Sequence, residues 1–100
     1  MDLPNLMDKC IIGYGEMDIA IIVMTLYKDN LPTGKDLYIK LNNQVPKYFL
    51  DRADYWIDRA NKERKEEYIL NARKLQEISL KFKETKFKKA IMEEIDYLKI

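Results

Sequence analysis

The stretch VPKYFLDRADYWIDRAN, residues 45–61, decides the predicted fold because its pattern is that of an amphipathic helix. Its apolar residues recur at the i, i+3, i+4 and i+7 spacing that places side chains on one helical face. They are Phe49, Leu50, Ala53, Trp56, Ile57 and Ala60. Pro46 suits the first helical position, where its missing N–H has no partner, and Asn61 can adopt the left-handed conformation that ends a helix. The sequence therefore predicts a core-facing helix over residues 46–60.

Two polar stripes run along the other side of this predicted helix. The first, at i, i+4, i+7 and i+11, contains Tyr48, Arg52, Tyr55 and Arg59. The second contains Asp51, Asp54 and Asp58. Exposed ion pairs add little stability, so a stabilising role does not explain this face of the helix. Two tyrosines beside two arginines instead indicate a binding surface. A solvated face of Asp/Arg pairs is the alternative.

Composition limits the class of protein. A chain of 100 residues, 47% hydrophobic and 35% charged, is enough for one domain, so residues 1–100 are predicted to be a single domain. Eighteen basic and seventeen acidic residues nearly cancel, so attraction to nucleic acid must come from local patches. With one cysteine, no histidine and no phosphate-binding glycine loop, we predict no catalysis, no metal and no cofactor.

No segment predicts insertion into a membrane. The apolar run at residues 19–26 is far shorter than the ~20 residues that a membrane span needs. No basic, hydrophobic, small-residue series of the secretory type opens the chain. We therefore expect a soluble, cytoplasmic protein with no membrane partner.

Residues 16–43 permit two secondary structures. The segment EMDIAIIVMTLYK, residues 16–28, is apolar on nearly every side, which suits a central helix. Thr33 can cap a following helix that carries Asp36 in its first turn. The β-branched residues of the first segment and the alternation in DLYIKLN instead permit a β-hairpin over residues 18–43. The helical interpretation is the one we favour.

The C-terminal third contains two apolar stripes that are out of phase. One consists of Leu75, Ile78 and Phe82, and the other of Leu80, Phe87, Ile91, Ile95 and Leu98. One straight helix cannot bury both against a single small domain. Residues 72–100 are therefore predicted to be a C-terminal dimerisation helix, with Phe87, Ile91, Ile95 and Leu98 against a second chain. Two helices, with Thr85 capping the second, would give the same pattern.

The most basic segment is KFKETKFKK, residues 81–89. Its lysines, interleaved with Phe82 and Phe87, could track phosphates or an acidic partner. The interpretation that the pattern favours is the outer face of an amphipathic helix whose phenylalanines belong to the core.

The order of a buried helix, LPTGKDLYIKLN, NQVPKYFLDRADYWIDRAN and KERKEEYILN resembles the winged helix-turn-helix proteins, particularly small PadR-like and archaeal plasmid or virus regulators. The resemblance implies a helix-turn-helix core over residues 16–70, with its turn at residues 42–44 and its recognition helix at residues 46–60. It also implies a short or vestigial wing ending at YILN, residues 68–71. The expected fold is therefore mainly α, a small winged helix-turn-helix domain with a long C-terminal helix.

This resemblance implies a homodimeric, sequence-specific protein that binds double-stranded DNA, a transcriptional regulator of viral, plasmid or prokaryotic origin. Lys47, Tyr48, Asp51 and Arg52 would face base edges, Tyr55 and Arg59 would approach the backbone, and Arg64 and Lys65 would reach the adjacent groove. The competing hypothesis is a helical protein-interaction module, an inhibitor or adaptor, that uses the Asp/Arg/Tyr face of residues 47–59. The near-zero net charge and the three aspartates favour it.

Overall fold

A computed structural model describes residues 2–99, which fold into six α-helices joined by short turns. The helices are α1 (Leu3–Ile12), α2 (Glu16–Leu26), α3 (Gly34–Asn43), α4 (Val45–Glu63), α5 (Glu67–Lys81) and α6 (Thr85–Leu98). Asp2 caps α1 because its carboxylate accepts a hydrogen bond from the backbone N–H of Asn5, and Arg64, in the left-handed conformation, ends α4. Within residues 2–99 no helix is both long enough and apolar enough to cross a membrane.

The two long helices, α4 and α5, pack as an antiparallel pair. Near one end of the pair, the Ser79 hydroxyl donates a hydrogen bond of 3.0 Å to the backbone carbonyl of Pro46. Near the other end, Arg59 Nη2 donates to the hydroxyl of Tyr68 at 3.2 Å. Helix α1 packs against α2, α4 and α5, and α6 packs against α2 and α3. The hydrogen bond between Ser79 and Pro46 shows that the start of α4 and the end of α5 lie side by side.

Every helix contributes to one hydrophobic core. The largest fully buried side chains are Phe49, Phe82, Ile19, Ile22, Leu41, Leu75, Ile78, Ile91, Ile95, Val23 and Val45. The ring of Phe82 lies 5.8 Å from that of Phe49 and 5.1 Å from that of Phe87, measured between centroids. Phe82 thus joins α4 to α6 and fixes the turn between α5 and α6. The prediction that Phe82 and Phe87 are core residues is confirmed.

The predicted wing is contradicted by the helices on both sides of Arg64. Helix α4 continues to Glu63, and α5 already contains residues 68–71, the segment predicted to end the wing. The charged run between them lacks Gly and Pro and is rich in Lys, Glu and Arg, which favour helix. Tyr68 also packs its ring 5.0 Å from the indole of Trp56, a contact that holds the start of α5 on α4. The winged helix-turn-helix fold class is therefore wrong, whereas the mainly α class is confirmed.

The alternative β-hairpin over residues 18–43 is also wrong, because that segment forms α2 and α3. The buried side chains of α2 include Ile19, Ile22 and Val23, whose spacing places them on one helical face. Burial of this face overrides the strand preference of the β-branched residues. The predicted turn at residues 42–44 shrinks to Gln44, the one residue that separates α3 from α4.

The C-terminal segment is two helices, and both of its apolar stripes enter the same core except at Leu80, which is 58% exposed. A break at residues 82–84 separates α5 from α6, at the position where the phase changes. Phe87, Ile91 and Ile95 are 8%, 0% and 0% exposed, and Leu98 is half-buried against the core. The prediction that these residues form a dimer interface rested on the argument that one chain cannot bury both stripes. That argument was wrong, because the turn at residues 82–84 places these residues against α2 and α3. Residue 100 lies outside the described residues.

Candidate functional site

Arg52, Tyr55, Trp56, Arg59 and Tyr68 form one continuous surface on α4 and α5, called here the Arg–aromatic cluster. The guanidinium of Arg52 lies 3.9 Å from the ring centroid of Tyr55. The guanidinium of Arg59 lies 4.6 Å from the ring centroid of Tyr68 and 5.1 Å from that of Trp56. Cations over aromatic faces attract the rings electrostatically. The cluster is therefore held in one arrangement by contacts within the chain.

Arg52 is paired with a carboxylate of another helix, Asp8 of α1. Arg52 Nε donates to Asp8 Oδ1 at 2.9 Å, Arg52 Nη2 donates to Asp8 Oδ2, and Trp56 Nε1 donates to Asp8 Oδ1 at 2.9 Å. The side chains of Arg52 and Asp8 are 18% and 22% exposed. The hydrogen bond that Arg52 donates to Asp8 raises the pKa of Arg52 above its ordinary value. Arg52 thus joins α1 to α4, and its Nε and Nη2 donors are engaged by Asp8 instead of being free to read base edges.

Arg59 is paired as well, within α4. Arg59 Nε donates to Glu63 Oε2 at 2.6 Å, which is an i,i+4 ion pair, and Arg59 Nη2 donates to the Tyr68 hydroxyl. The hydrogen bond from Arg59 lowers the pKa of Glu63. Both arginines of the predicted DNA-contacting stripe are therefore already neutralised by carboxylates of this chain.

The other predicted DNA-contacting residues are divided between the two ends of α4. Lys47, Tyr48 and Asp51 are exposed near its first turns. Arg64 is exposed in the turn that follows α4, and Lys65 Nζ lies 5.5 Å from the ring centroid of Tyr68. Since α4 is a helix of 19 residues, these two groups lie far apart along it. The structure therefore does not gather the predicted residues into one site.

A second surface lies where α5 ends and α6 begins, and we call it the lysine corner. It consists of Lys81, Lys83, Lys86, Lys88 and Lys89. Residues 81–89 hold five of the eighteen basic residues and one of the seventeen acidic residues, so they carry a net +4 and the rest of the chain carries −3. Within residues 2–99, none of the five lysines has a carboxylate oxygen within 4.0 Å. Positive charge is thus concentrated at one end of the molecule and left unneutralised.

Packing beneath the lysine corner holds it in place. Phe82 and Phe87 are buried, and their burial fixes the turn that exposes the lysines between them. Lys81 Nζ lies 5.6 Å from the ring centroid of Phe87. Because the Ser79 hydroxyl is hydrogen-bonded to the backbone carbonyl of Pro46, the first turn of α4 lies at the same end of the molecule as the lysine corner. This turn includes exposed Lys47. The charge of this segment was readable from the sequence, but its position beside the start of α4 was not.

Lys88 differs from the other lysines of the corner because it is buried, with 4% of its surface exposed. Its ammonium donates to Asn42 Oδ1 at 2.8 Å and lies 4.7 Å from the ring centroid of Tyr38. The hydroxyls of Tyr38 and Thr85 are 3.4 Å apart. Hydrogen bonding with Thr85, and then with Lys88, lowers the pKa of Tyr38. Sequence reasoning missed this group because α3 and α6 are more than forty residues apart in the chain.

Cys10, the one cysteine of the sequence, is buried. Burial raises the pKa of the Cys10 thiol to about 11, with Asp18 and Asp8 adding to the effect, so the thiolate is scarce near neutral pH. No group of three or more His, Cys, Asp or Glu side chains among residues 2–99 could hold a metal ion.

Comparisons with protein-family models, curated proteins and solved structures found no match. The resemblance to winged helix-turn-helix regulators stays a prediction from sequence pattern, and the wing, its most distinctive structural element, is absent from residues 2–99. Function is therefore inferred from the surfaces of the chain alone.

Proposed function

We propose that this chain binds double-stranded DNA through the lysine corner, by neutralising backbone phosphates. The observation that carries the proposal is the net +4 of residues 81–89, which no carboxylate within 4.0 Å offsets in the described part of the chain. A lysine ammonium is a compact charge that suits phosphate, and its binding releases counterions condensed on DNA. Lys47, at the same end of the molecule, extends the basic surface to α4.

The distribution of charge also supports one orientation on DNA. Outside residues 81–89 the chain is net negative, and Asp51, Asp54 and Asp58 are exposed along α4. Acidic groups near phosphates are repelled, whereas a patch of positive charge steers the approach of a polyanion. The lysine corner, rather than the middle of α4, is therefore the end that faces DNA in this proposal.

The proposed binding is dominated by the DNA backbone. Contacts to phosphates position a protein without reading sequence, which requires hydrogen bonds to base edges. Arg52 and Arg59, the residues best suited to read guanine, are bound to Asp8 and Glu63. We therefore propose that the chain binds DNA without regard to its sequence, and we assign no sequence preference to α4.

The test compares two charge-matched triple variants by fluorescence anisotropy with a labelled duplex. The corner variant carries Lys81→Gln, Lys83→Gln and Lys86→Gln, and the control carries Lys62→Gln, Arg73→Gln and Lys74→Gln, all at exposed positions. The corner variant is expected to lose at least ~10-fold in affinity and about 2.7 in the slope of log K against log salt, at ~0.9 per lost phosphate contact. The control should bind like the unmodified protein. Equal losses in both variants would contradict the proposal.

The Arg–aromatic cluster favours a second function, the binding of a protein partner. Tyr, Trp and Arg are the residue types that dominate binding energy at protein interfaces. Tyr55 is 41% exposed, while the guanidinium of Arg52 stacks on its ring and restricts its motion. A surface ordered before binding loses less entropy on association. In this case Tyr55→Ala would abolish binding to that partner and leave salt-sensitive DNA binding unchanged. A loss of DNA binding in the same variant would refute the separation of the two surfaces.

A further inference from the structure

We infer that Tyr38, Asn42, Thr85 and Lys88 form a phosphate-binding subsite that holds one backbone phosphate of bound DNA. The inference rests on the proposed DNA binding and names the place where a phosphate is fixed rather than merely attracted. The four side chains come from α3 and α6, whose contact brings them together.

The buried ammonium of Lys88 is the first reason. A buried charge is costly unless an opposite charge and hydrogen bonds compensate it. Lys88 is 4% exposed, and its partners are the neutral amide of Asn42 and the ring of Tyr38. Within residues 2–99 no carboxylate oxygen lies within 4.0 Å of its ammonium. An anion bound beside it would supply the missing negative charge.

The hydroxyls of Tyr38 and Thr85 are the second reason, because they can donate hydrogen bonds to a tetrahedral anion, whereas Asn42 meets the ammonium with its accepting Oδ1. The hydroxyls of Tyr38 and Thr85 lie 3.4 Å apart, and each can donate to a phosphate oxygen. Asn42 and Thr85 are exposed, so these two residues of the subsite are open to solvent. Charge-assisted hydrogen bonds to phosphate are stronger than neutral ones. The two hydroxyls and the ammonium therefore lie around the side chain of Tyr38, which is where we place the phosphate.

The surroundings of the subsite add further positive potential. Lys89 follows Lys88 in α6 and is exposed. Lys86 is exposed one residue after Thr85. Thr85 opens α6, a helix of 14 residues whose first N–H groups donate no hydrogen bond to a capping side chain. Free N–H groups at a helix start carry partial positive charge. The subsite thus lies within the lysine corner and shares its field.

A backbone phosphate fits these donors better than the carboxylate of an acidic protein. A phosphate presents oxygens in several directions, so the two hydroxyls and the ammonium can each take a different oxygen. Lys86 and Lys89, which are exposed next to Thr85 and Lys88 in the chain, can contact the neighbouring phosphates of the same DNA strand. An acidic peptide is the competing occupant that the experiment must exclude.

The first variant, Tyr38→Phe with Thr85→Val, removes both hydroxyls and keeps volume and charge. Affinity for the labelled duplex at fixed salt should fall about 5-fold, equivalent to roughly 1 kcal/mol, while the salt slope stays unchanged because no charge is lost. The second variant, Lys88→Met, keeps a long apolar side chain and removes the charge. It should reduce both the affinity and the salt slope, the latter by about 0.9.

A purely structural role of Lys88 predicts a different result. If Lys88 served only to join α3 and α6, Lys88→Met would lower the melting temperature. If instead the charge of Lys88 is compensated only when a phosphate binds, Lys88→Met removes an uncompensated buried charge from the DNA-free protein. The melting temperature of the DNA-free protein should then stay equal or rise. A lower melting temperature together with unchanged DNA affinity would overturn the subsite.

Two further titrations of the unmodified, ¹⁵N-labelled chain separate the possible occupants. Inorganic phosphate should shift the amide signals of Asn42, Thr85 and Lys88, and the Tyr38→Phe/Thr85→Val variant should lose these shifts. Stronger shifts with poly-glutamate than with phosphate would overturn the inference in favour of an acidic peptide. If the corner triple variant loses DNA affinity but the hydroxyl variant does not, the subsite fails and the proposed function stands. If no duplex binds, the proposed function fails, and phosphate shifts would then indicate a small free phosphate ligand instead of DNA.

Discussion

Arg52→Ala should destabilise the fold, because Arg52 joins α1 to α4 through Asp8. The variant loses two charge-assisted hydrogen bonds and leaves Asp8 with the single bond from Trp56 Nε1. Hydrogen bonds to charged groups contribute ~1.5–3 kcal/mol each when well shielded, and an exposed cation–π contact about 0.5–1 kcal/mol. Since the two side chains are 18% and 22% exposed, solvent screening reduces this sum. We expect a loss of about 2–3 kcal/mol.

Urea titration and thermal unfolding followed by circular dichroism measure this loss. For a domain of this size the expected fall in melting temperature is roughly 8–24 °C, at ~4–8 °C per kcal/mol. Arg73→Ala, at an exposed position of α5, serves as the control and should change stability by less than ~0.5 kcal/mol. A double-mutant cycle with Asp8→Ala should give a coupling energy of ~1–2 kcal/mol. A loss equal to that of the control, without coupling, would refute the pairing and return Arg52 to the candidate DNA-contacting residues.

Three further predictions concern the core and its titration. Trp56→Ala should lower the free energy of unfolding, measured by urea titration, by about 2–3 kcal/mol. This is less than the ~3–5 kcal/mol expected for a fully buried aromatic residue, because Trp56 is only half-buried. A loss below about 1 kcal/mol would contradict its packing against the core. Ile91→Glu with Ile95→Glu should give an unfolded chain by circular dichroism, since both positions are 0% exposed, whereas a folded monomer would show that they face outward. Because folding raises the pKa of Cys10 from 9.0 to about 11, the unfolded thiol ionises first, so stability relative to Cys10→Ala should fall as pH rises through that interval. A pH-independent difference between the two proteins would exclude this linkage.

Periodicity located the long helix but not the centre of its buried face. The predicted helix at residues 46–60 lies within α4, and Phe49, Ala53 and Ala60 are buried as expected. Leu50, however, is 42% exposed, because α5 packs on the other side of the arc. The pattern of a single helix indicates an apolar face, but its neighbours decide which edge of that face stays open.

The candidate site was predicted less well than the helices because its determinants are contacts between distant segments. Nothing near Arg52 in the sequence indicates that Asp8, 44 residues earlier, will neutralise it. Likewise, the phase change near residues 82–84 permits either two helices or one long helix covered by a second chain, and only the contacts of α6 with α2 and α3 decide between them. The charge of the lysine corner was visible in the sequence, and the burial of Lys88 against α3 was not.

The most direct test of DNA binding through the lysine corner is the salt dependence of duplex affinity for the unmodified protein. Anisotropy titrations at several NaCl concentrations give the slope of log K against log salt. Four or five lysines that each neutralise a phosphate predict a slope of about −4, at ~0.9 per contact. Binding that strengthens steeply as salt is lowered, with this slope, is the result we expect. No binding at the lowest salt concentration, or an affinity that does not vary with salt, would contradict the assignment of this surface to DNA.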